Sequence, residues 1–308
     1  MTVTLNAPAK INLSVDIISK RPDGYHEVRM VMQTIDLHDI LVMSESDDIT
    51  LTMEGEGRMA DVVSSLPSDA GNLCIKAAEC YKTEAAKSGI PFNGMSIKLN
   101  KNIPMGAGLG GGSSDAAAVL RGADIISRRL YGKGFDDDKL ARMALGIGAD
   151  VPYCLTGGTK LAEGLGEKLT KIPDMPDCHI LIAKPDESAS TAEIYGLYDA
   201  CEDSFHPDIL AQADAVKRGD LADICKYTAN TLTEVTVSKI PVIGELKQVM
   251  VENGALCSEM TGSGSAVFGI FDDQQALERA YNALKAGFPD VFTAKTRPVC
   301  EFDKGRYL

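Results

Sequence analysis

Residues 104–115 read PMGAGLGGGSSD and contain the densest glycine run of the chain. Glycine occupies five of the seven positions 106–112. Because glycine loses more conformational freedom on folding than any other residue, such a run indicates that the backbone itself is needed there. Consecutive N–H groups without side chains can turn inward around an anion, and a helix that follows adds the positive end of its dipole. The stretch therefore predicts a phosphate-binding loop that leads into a helix.

The glycine run departs from three known motifs. A P-loop ends in Gly-Lys-Ser/Thr, whereas this loop ends in Gly112-Ser113-Ser114. A Rossmann fingerprint places a third glycine or alanine where Ser113 stands, and no early βαβ unit precedes it. A protein-kinase loop needs Val-Ala-Ile-Lys and His-Arg-Asp downstream, and both are absent. The two serines can cap the next helix or donate to phosphate oxygens. A plain surface loop is the remaining alternative, which Pro104 and the following helix disfavour.

Composition limits the classes of function. The 308 residues are 44% hydrophobic and carry a net charge of −13, without a Lys/Arg-rich run, which argues against a nucleic-acid partner. The eight cysteines include no C-x-x-C pair and the four histidines are scattered, so we predict no disulfide framework and no protein metal site. No signal peptide or membrane-spanning segment is recognisable, and we expect a cytoplasmic protein with no membrane partner.

Helical and strand-like periodicities are mixed along the chain rather than strictly alternating, which predicts an α+β fold. Residues 3–18 read as two strands or one bent strand. Asn72 is the predicted cap of a helix that extends to about residue 87. The glycines and prolines of 155–178 favour a boundary there. We divide the chain into an N-terminal domain, 1–160, which carries the predicted phosphate-binding loop, and a C-terminal domain, 161–308.

Two charged residues stand in unusual surroundings. Lys10 is the only charge in the segment APAKINL at 7–13, and Asp150 lies among glycines and a proline in GIGADVPY at 146–153. A lysine there can balance phosphate charge, and an aspartate beside it can accept a hydroxyl proton during phosphoryl transfer. Their ordinary interpretations are a solvated lysine at a strand edge and an aspartate that caps a helix or turn.

Two further segments are candidates for binding. Residues 261–265, TGSGS, form a second glycine-rich turn that either closes over a phosphate or simply connects strands. Tyr25 and His26 follow a turn at 21–24, and an aromatic ring beside an imidazole suits a flat heterocycle, although such pairs are also common structural features.

Three segments together resemble the motifs of the GHMP kinase superfamily, in the same order along the chain. They are residues 8–13 (PAKINL), 104–115 and 260–264 (MTGSG). Residues 21–27 (RPDGYHE), the triple glycine at 110–112 and residues 148–152 (GADVP) resemble the branch that phosphorylates a cytidylyl-methylerythritol substrate. The resemblance spans almost the whole chain.

The resemblance implies a GHMP kinase fold, with an N-terminal domain like ribosomal protein S5 domain 2 and a C-terminal ferredoxin-like domain. It implies that ATP, with Mg²⁺, phosphorylates the 2-hydroxyl of the cytidylyl substrate in non-mevalonate isoprenoid (terpenoid) biosynthesis, in a protein that is a monomer or homodimer. The implied catalytic residues are Asp150, as base, and Lys10. The ATP-binding residues are Pro104, Met105, Gly106, Ala107, Gly108, Leu109, Gly110, Gly111, Gly112, Ser113 and Ser114. The substrate-binding residues are Asn12, Tyr25, His26, Thr191 and Tyr195, with the cytosine ring between the two tyrosines. The third motif comprises Thr261, Gly262, Ser263, Gly264 and Ser265.

One segment matches the superfamily only loosely. Residues 230–234 read NTLTE where Asn-x-x-Glu is expected, so Asn230 and Glu234 receive no role. Three other functions stay open. They are another GHMP kinase acting on homoserine, mevalonate or a sugar, a nucleotide-binding regulator without turnover, and an NAD-dependent enzyme.

Overall fold

The computed structural model describes residues 1–56, 59, 60, 63, 67, 69–201 and 204–300. The described helices and strands form two β-sheets with helices packed against them, which confirms the predicted α+β class. The strands are β1 Thr2–Lys20, β2 His26–Glu45, β3 Thr50–Gly55, β4 Met95–Lys101, β5 Thr159–Gly164, β6 Lys168–Lys171, β7 His179–Lys184, β8 Ala229–Asn230, β9 Cys257–Met260, β10 Val267–Phe271 and β11 Phe292–Thr296.

Ten helices are described here. They are α1 Leu73–Lys87, α2 Gly111–Tyr131, α3 Asp137–Ile147, α4 Val151–Thr156, α5 Thr191–Tyr198, α6 Ile209–Arg218, α7 Leu221–Lys226, α8 Thr233–Lys239, α9 Val242–Glu252 and α10 Gln274–Gly287. None of the described helices is long and apolar enough to cross a membrane.

A long antiparallel hairpin of β1 and β2 organises the first sheet. Its strand order is β3-β4-β2-β1-β8, and β5 pairs with β2 and β6. The second sheet, in the order β11-β7-β10-β9, is antiparallel throughout. Thus β5 and β6 belong to the first sheet and the second begins at His179. The division at 160/161 stays a prediction.

The β1 strand changes the face it presents to the core twice. Val3, Leu5, Ala7, Val15 and Ile17 join a hydrophobic cluster with α1 and α2, whereas Ala9, Ile11 and Leu13 join a second cluster with β7 and β10. The pairing with β2 shifts register between Pro8 and Lys10 and again between Asn12 and Ser14. Since side chains alternate along a strand, such shifts move a whole set of residues to the other face.

Lys10 and Asn12 lie in the stretch between these two shifts, and their side chains alternate with the second cluster. A third register shift lies between Ile17 and Ser19. The segment predicted as two strands or one bent strand is therefore one continuous strand, β1, with three irregularities in its pairing.

Several predicted elements match closely and others were missed. The α1 helix has Asn72 as its N-cap, and the Asn72 side chain accepts the N–H of Cys74, as predicted. The strands and helices missed from the sequence are short. They are α4, β5, β6, α7, β8, α8 and β9.

Candidate active site

Lys10 and Asp150, far apart in sequence, meet in the structure. Lys10 Nζ lies 3.7 Å from Asp150 Oδ2 and donates a hydrogen bond of 2.6 Å to Asn12 Oδ1. Lys10 is only 5% exposed, whereas the Asp150 side chain is 33% exposed. A buried ammonium needs such oxygen partners to offset its lost hydration. The result is an accessible carboxylate with a fixed cation beside it.

Asp150 stands at the N-cap position of α4, but its side chain caps nothing. Helix α3 ends at Ile147, the extended backbone of its C-cap Gly148 separates the two helices, and Pro152 lies in the first turn of α4. The Asp150 side chain makes no cap hydrogen bond and instead faces Lys10. Its carboxylate is therefore free of the role that an ordinary capping aspartate has.

The second glycine-rich turn packs against the glycine loop. The Thr261 hydroxyl accepts the N–H of Asn12 (3.0 Å) and donates to the carbonyl of Gly108 (3.1 Å), so it joins all three motifs. Thr261 is fully buried. Two backbone hydrogen bonds extend the contact, from Ser265 N–H to the Gly106 carbonyl and from Ala266 N–H to the Ala107 carbonyl.

Two glycines of the loop are required by close approaches. Gly108 has φ +72°, and a Cβ there would lie 2.1 Å from the Thr261 carbonyl oxygen. Gly110 has φ +68°, and a Cβ there would lie 2.9 Å from Lys10 Cγ. Positive φ favours glycine, and the missing side chains let the loop approach both other motifs. The loop is held close to Lys10, whose own N–H bonds to the Leu109 carbonyl (2.9 Å).

Helix α2 begins directly after this loop, at Gly111. Its N-cap is Gly110, without a side-chain cap, so neither Ser113 nor Ser114 has the capping role that was one of their two expected functions. The first turn holds no acidic residue. The backbone N–H groups of that turn and the positive helix end are therefore directed toward any anion held by the loop.

A cavity of about 380 Å³ lies along the loop. One wall is apolar and the loop backbone forms much of the rest. It is lined by Met53, Pro67, Gly71, Asn72, Leu73, Leu99, Lys101, Pro104, Met105, Gly106, Ala107, Gly108, Leu109, Gly110, Gly111, Gly112, Ser113 and Asp115. Its size and its mixture of apolar wall and backbone donors suit a small ligand that carries an aromatic ring and phosphates.

A buried ionic cluster supports the loop from below. Lys101 Nζ donates to Asp115 Oδ2 at 2.8 Å and also to Asp39, whose other oxygen accepts the N–H of Ile103 (2.8 Å). Burial raises the pKa of Asp115 to about 8, although Lys101 acts in the opposite direction. Burial lowers the pKa of Lys101, but the two carboxylates outweigh it and raise that pKa overall.

Aromatic residues from β2 and α5 meet near Asp150. The rings of His26 and Tyr195 have centroids 4.8 Å apart, and His26 is 7% exposed. Burial raises the pKa of Tyr195 to about 12, and the negative charge of Asp150 adds to the shift. Tyr25 is 64% exposed at the hairpin turn. The Thr191 hydroxyl lies 3.0 Å from that of Ser263, which ties α5 to the second glycine-rich turn.

Asn230, to which no role was assigned, holds the second glycine-rich turn in place. Its amide donates to the carbonyls of Met260 (2.9 Å) and Gly262 (2.8 Å). Thr233 stands where the superfamily has Glu, and its hydroxyl donates to Glu259 (2.7 Å). Glu234 is exposed and lines a second cavity of about 330 Å³.

Some residues at the site were not found from the sequence. Asp115 lies within the quoted glycine stretch, and Lys101 ends the strand before it, but a buried ion pair leaves no local pattern. Asp199 follows α5 at an exposed position and accepts from His26 (2.7 Å). The only sign of this contact in the sequence was the position of its partner, His26, shortly after the turn at 21–24.

Comparison with known proteins places two domain families on the chain. The GHMP kinases N terminal domain matches residues 72–158, and the GHMP kinases C terminal domain matches residues 212–290. Similar curated proteins are the 4-diphosphocytidyl-2-C-methyl-D-erythritol kinases of Geobacillus sp. (strain WCH70) and Lachnospira eligens. Both are 43% identical, over 96% of this chain and 97% and 98% of theirs.

Solved structures give the same picture. A 4-(cytidine 5'-diphospho)-2C-methyl-D-erythritol kinase is 30% identical, with a TM-score of 0.75 over 96% of this chain and 98% of that chain. A homoserine kinase from Cytophaga hutchinsonii is 20% identical with a TM-score of 0.70, over 97% of this chain and 95% of that one. The latter likeness concerns the fold alone.

Proposed function

Because this chain belongs to the GHMP kinases, and within them to the 4-diphosphocytidyl-2-C-methyl-D-erythritol kinases, we propose that it transfers the γ-phosphoryl group of ATP to the 2-hydroxyl of that cytidylyl substrate. The predicted fold, enzyme class and place in the methylerythritol phosphate route of isoprenoid synthesis are confirmed by these relationships. The roles of single residues are our proposals. The observation that supports them most strongly is the contact of Lys10 with Asp150 beside the glycine loop.

ATP is proposed to lie along the glycine loop. Its phosphates would accept hydrogen bonds from the loop backbone and the first turn of α2, where the helix dipole favours negative charge. The base would lie against the apolar wall formed by Met53, Leu73 and Leu99 in the same cavity. The buried cluster of Lys101, Asp39 and Asp115 would hold the glycine loop at a fixed distance from this apolar wall.

The acceptor is proposed to lie between Asp150 and the aromatic pair His26 and Tyr195. Asp150 takes the proton of the attacking hydroxyl as the oxygen–phosphorus bond forms and the bond to ADP breaks. Lys10 places a positive charge 3.7 Å from this carboxylate and screens the charge of the incoming phosphate. Asn12 orients Lys10 through the 2.6 Å hydrogen bond.

Mg²⁺ is proposed to enter with the nucleotide. The Ser113 hydroxyl, partly exposed at the start of α2, is a hard oxygen donor of the kind that Mg²⁺ accepts. Phosphate oxygens and water would supply most other ligands. When bound, the ion neutralises part of the triphosphate charge.

An ADP-release assay with a panel of acceptors tests the proposal. The purified protein is given ATP and, separately, the cytidylyl substrate, homoserine, mevalonate and a hexose. We expect turnover with the cytidylyl substrate alone. Faster turnover of another acceptor would overturn the assignment, and a lack of turnover of every acceptor would favour a regulator.

A further inference from the structure

Asp199 joins the hairpin turn of the first sheet to the end of α5. Its Oδ1 lies 2.7 Å from His26 Nε2, and its Oδ2 lies 2.6 Å from Lys20 Nζ. His26 is nearly buried, whereas Lys20 is exposed. Lys20, and next His26, lower the pKa of Asp199, so the group is a carboxylate at neutral pH.

This contact determines which ring nitrogen of His26 carries the proton. A carboxylate only accepts hydrogen bonds, so Nε2 must be the N–H that donates. In a neutral imidazole the other nitrogen, Nδ1, is then an acceptor. Lys20 Nζ, on the second carboxylate oxygen, balances the negative charge of Asp199. Nδ1 has no hydrogen-bond partner within the described part of the chain.

An acceptor nitrogen distinguishes pyrimidines at one position. Cytosine carries an amino group at C4, which donates, whereas uracil carries a carbonyl oxygen there, which accepts. Two hydrogen-bond acceptors that face each other repel, and neither gains a hydrogen bond. In a buried site this weakens binding of the substrate.

We propose that Asp199 is a positioning residue which, by holding Nε2 of His26 protonated, makes Nδ1 an acceptor for the C4 amino group and so selects cytidylyl over uridylyl substrates. The inference rests on the proposed function, because it concerns the base of that substrate. Among the described residues, the Asp199 side chain bonds to His26 and Lys20, and it acts through His26.

Substrate discrimination is the first test. The ratio of kcat/KM for the cytidylyl substrate to that for its uridylyl analogue is measured at pH 8 in the unsubstituted protein, D199A and K20M. We expect D199A to lower the ratio on the order of 10- to 100-fold, because the ring can then present Nδ1–H to a carbonyl. K20M keeps the Asp199–His26 contact and should leave the ratio within about threefold. An unchanged ratio in D199A overturns the proposal, as does an equal loss in both variants.

The tautomer itself is the second test. Long-range ¹H–¹⁵N spectra distinguish Nε2–H from Nδ1–H by the two ring ¹⁵N shifts, and the His26 signals are identified by their loss in H26Q. We expect Nε2–H in the unsubstituted protein and in K20M, and a mixture in D199A. An Nδ1–H form in the unsubstituted protein overturns the inference. Failure of the proposed function would appear differently, as no turnover of the cytidylyl substrate by the unsubstituted protein.

Discussion

Asp150 differs from most aspartates beside a helix start because its side chain is not used by the backbone. It stands where a cap would stand, and its side chain is left partly exposed with Lys10 3.7 Å away. A carboxylate that is neither capping nor fully paired can accept a proton without the fold being disturbed. The proposed proton transfer to Asp150 therefore breaks no hydrogen bond that caps α4.

Substitution of this carboxylate tests its role. We expect D150N to lower kcat by about 10²–10⁴-fold, the usual contribution of a general base, while affinity for a non-hydrolysable ATP analogue stays within about threefold. Steady-state kinetics and calorimetry measure the two quantities. D138N, at an exposed position on α3, is the matched control. A kcat of D150N near that of D138N would refute the assignment.

Asp115 makes stability depend on pH. Its pKa is raised by burial from 3.8 to about 8, so between these values the folded protein holds a proton that the unfolded chain has released. Its contribution to the free energy of unfolding is present at low pH and falls as the pH rises toward 8. D115N lacks this titration. We expect the unfolding free energy of D115N relative to the unsubstituted protein to increase by up to about 1.4 kcal/mol per pH unit between pH 5.5 and 7.5.

Urea unfolding at pH 5.5 and pH 7.5 measures this difference. The comparison between the two proteins cancels the titration of groups that they share. A difference in unfolding free energy that is the same at both values would mean that Asp115 is ionised throughout this range.

At the scale of elements, the glycine loop and the turn at 261–265 behave as one unit. G108A would place Cβ 2.1 Å from the Thr261 carbonyl oxygen at a φ of +72°. Backbone strain alone should destabilise the protein by about 1–3 kcal/mol, and separation of the loop from the turn should weaken binding of an ATP analogue. Urea unfolding and calorimetry measure both effects.

G112A provides the control for stability. At position 112 the nearest atom to an added Cβ is 3.7 Å away, on Leu73, and the backbone is helical. Alanine favours helices by up to about 1 kcal/mol over glycine, so the free energy of unfolding should be unchanged or slightly higher. Equal destabilisation by both substitutions would show that the contact with Thr261 is not the cause.

The elements predicted well from the sequence are those with a local cause. The side-chain cap at Asn72 and the glycine run before α2 can be predicted from the sequence because these residues determine the conformation of the backbone next to them. The face changes of β1 depend on pairing with β2, and the contact of His26 with Asp199 joins distant segments, so neither leaves a local pattern. Lys10 and Asp150 were found through their unusual neighbours and the resemblance, while their 3.7 Å contact required the fold.

At the scale of the whole molecule, the two sheets share their cores. One hydrophobic cluster includes Leu5 and Met43 from the first sheet together with Met260 and Phe271 from the second. Residues near the C-terminus return to the first sheet, where the N–H of Val299 bonds to the Thr34 carbonyl (2.9 Å). Each of the two sheets therefore buries part of its apolar surface against residues of the other.

We therefore expect the chain to unfold in a single cooperative transition. Urea curves followed by far-ultraviolet circular dichroism and by tyrosine fluorescence, which is usable because the chain has no tryptophan, should coincide. A saturating ATP analogue should move both curves equally to higher urea. Two separate midpoints would mean that the halves are independent folding units.

The two register shifts of β1 that flank Lys10 and Asn12 restrict how this enzyme can diversify. A one-residue insertion or deletion near Lys10 would exchange inward and outward side chains along the strand and would disturb both hydrophobic clusters as well as the contact of Lys10 with Asp150. Lineages and mutant libraries alike should therefore preserve the length of β1. New acceptor preferences should arise instead in the turn at 21–25 and on the exposed side of α5, which lie outside β1.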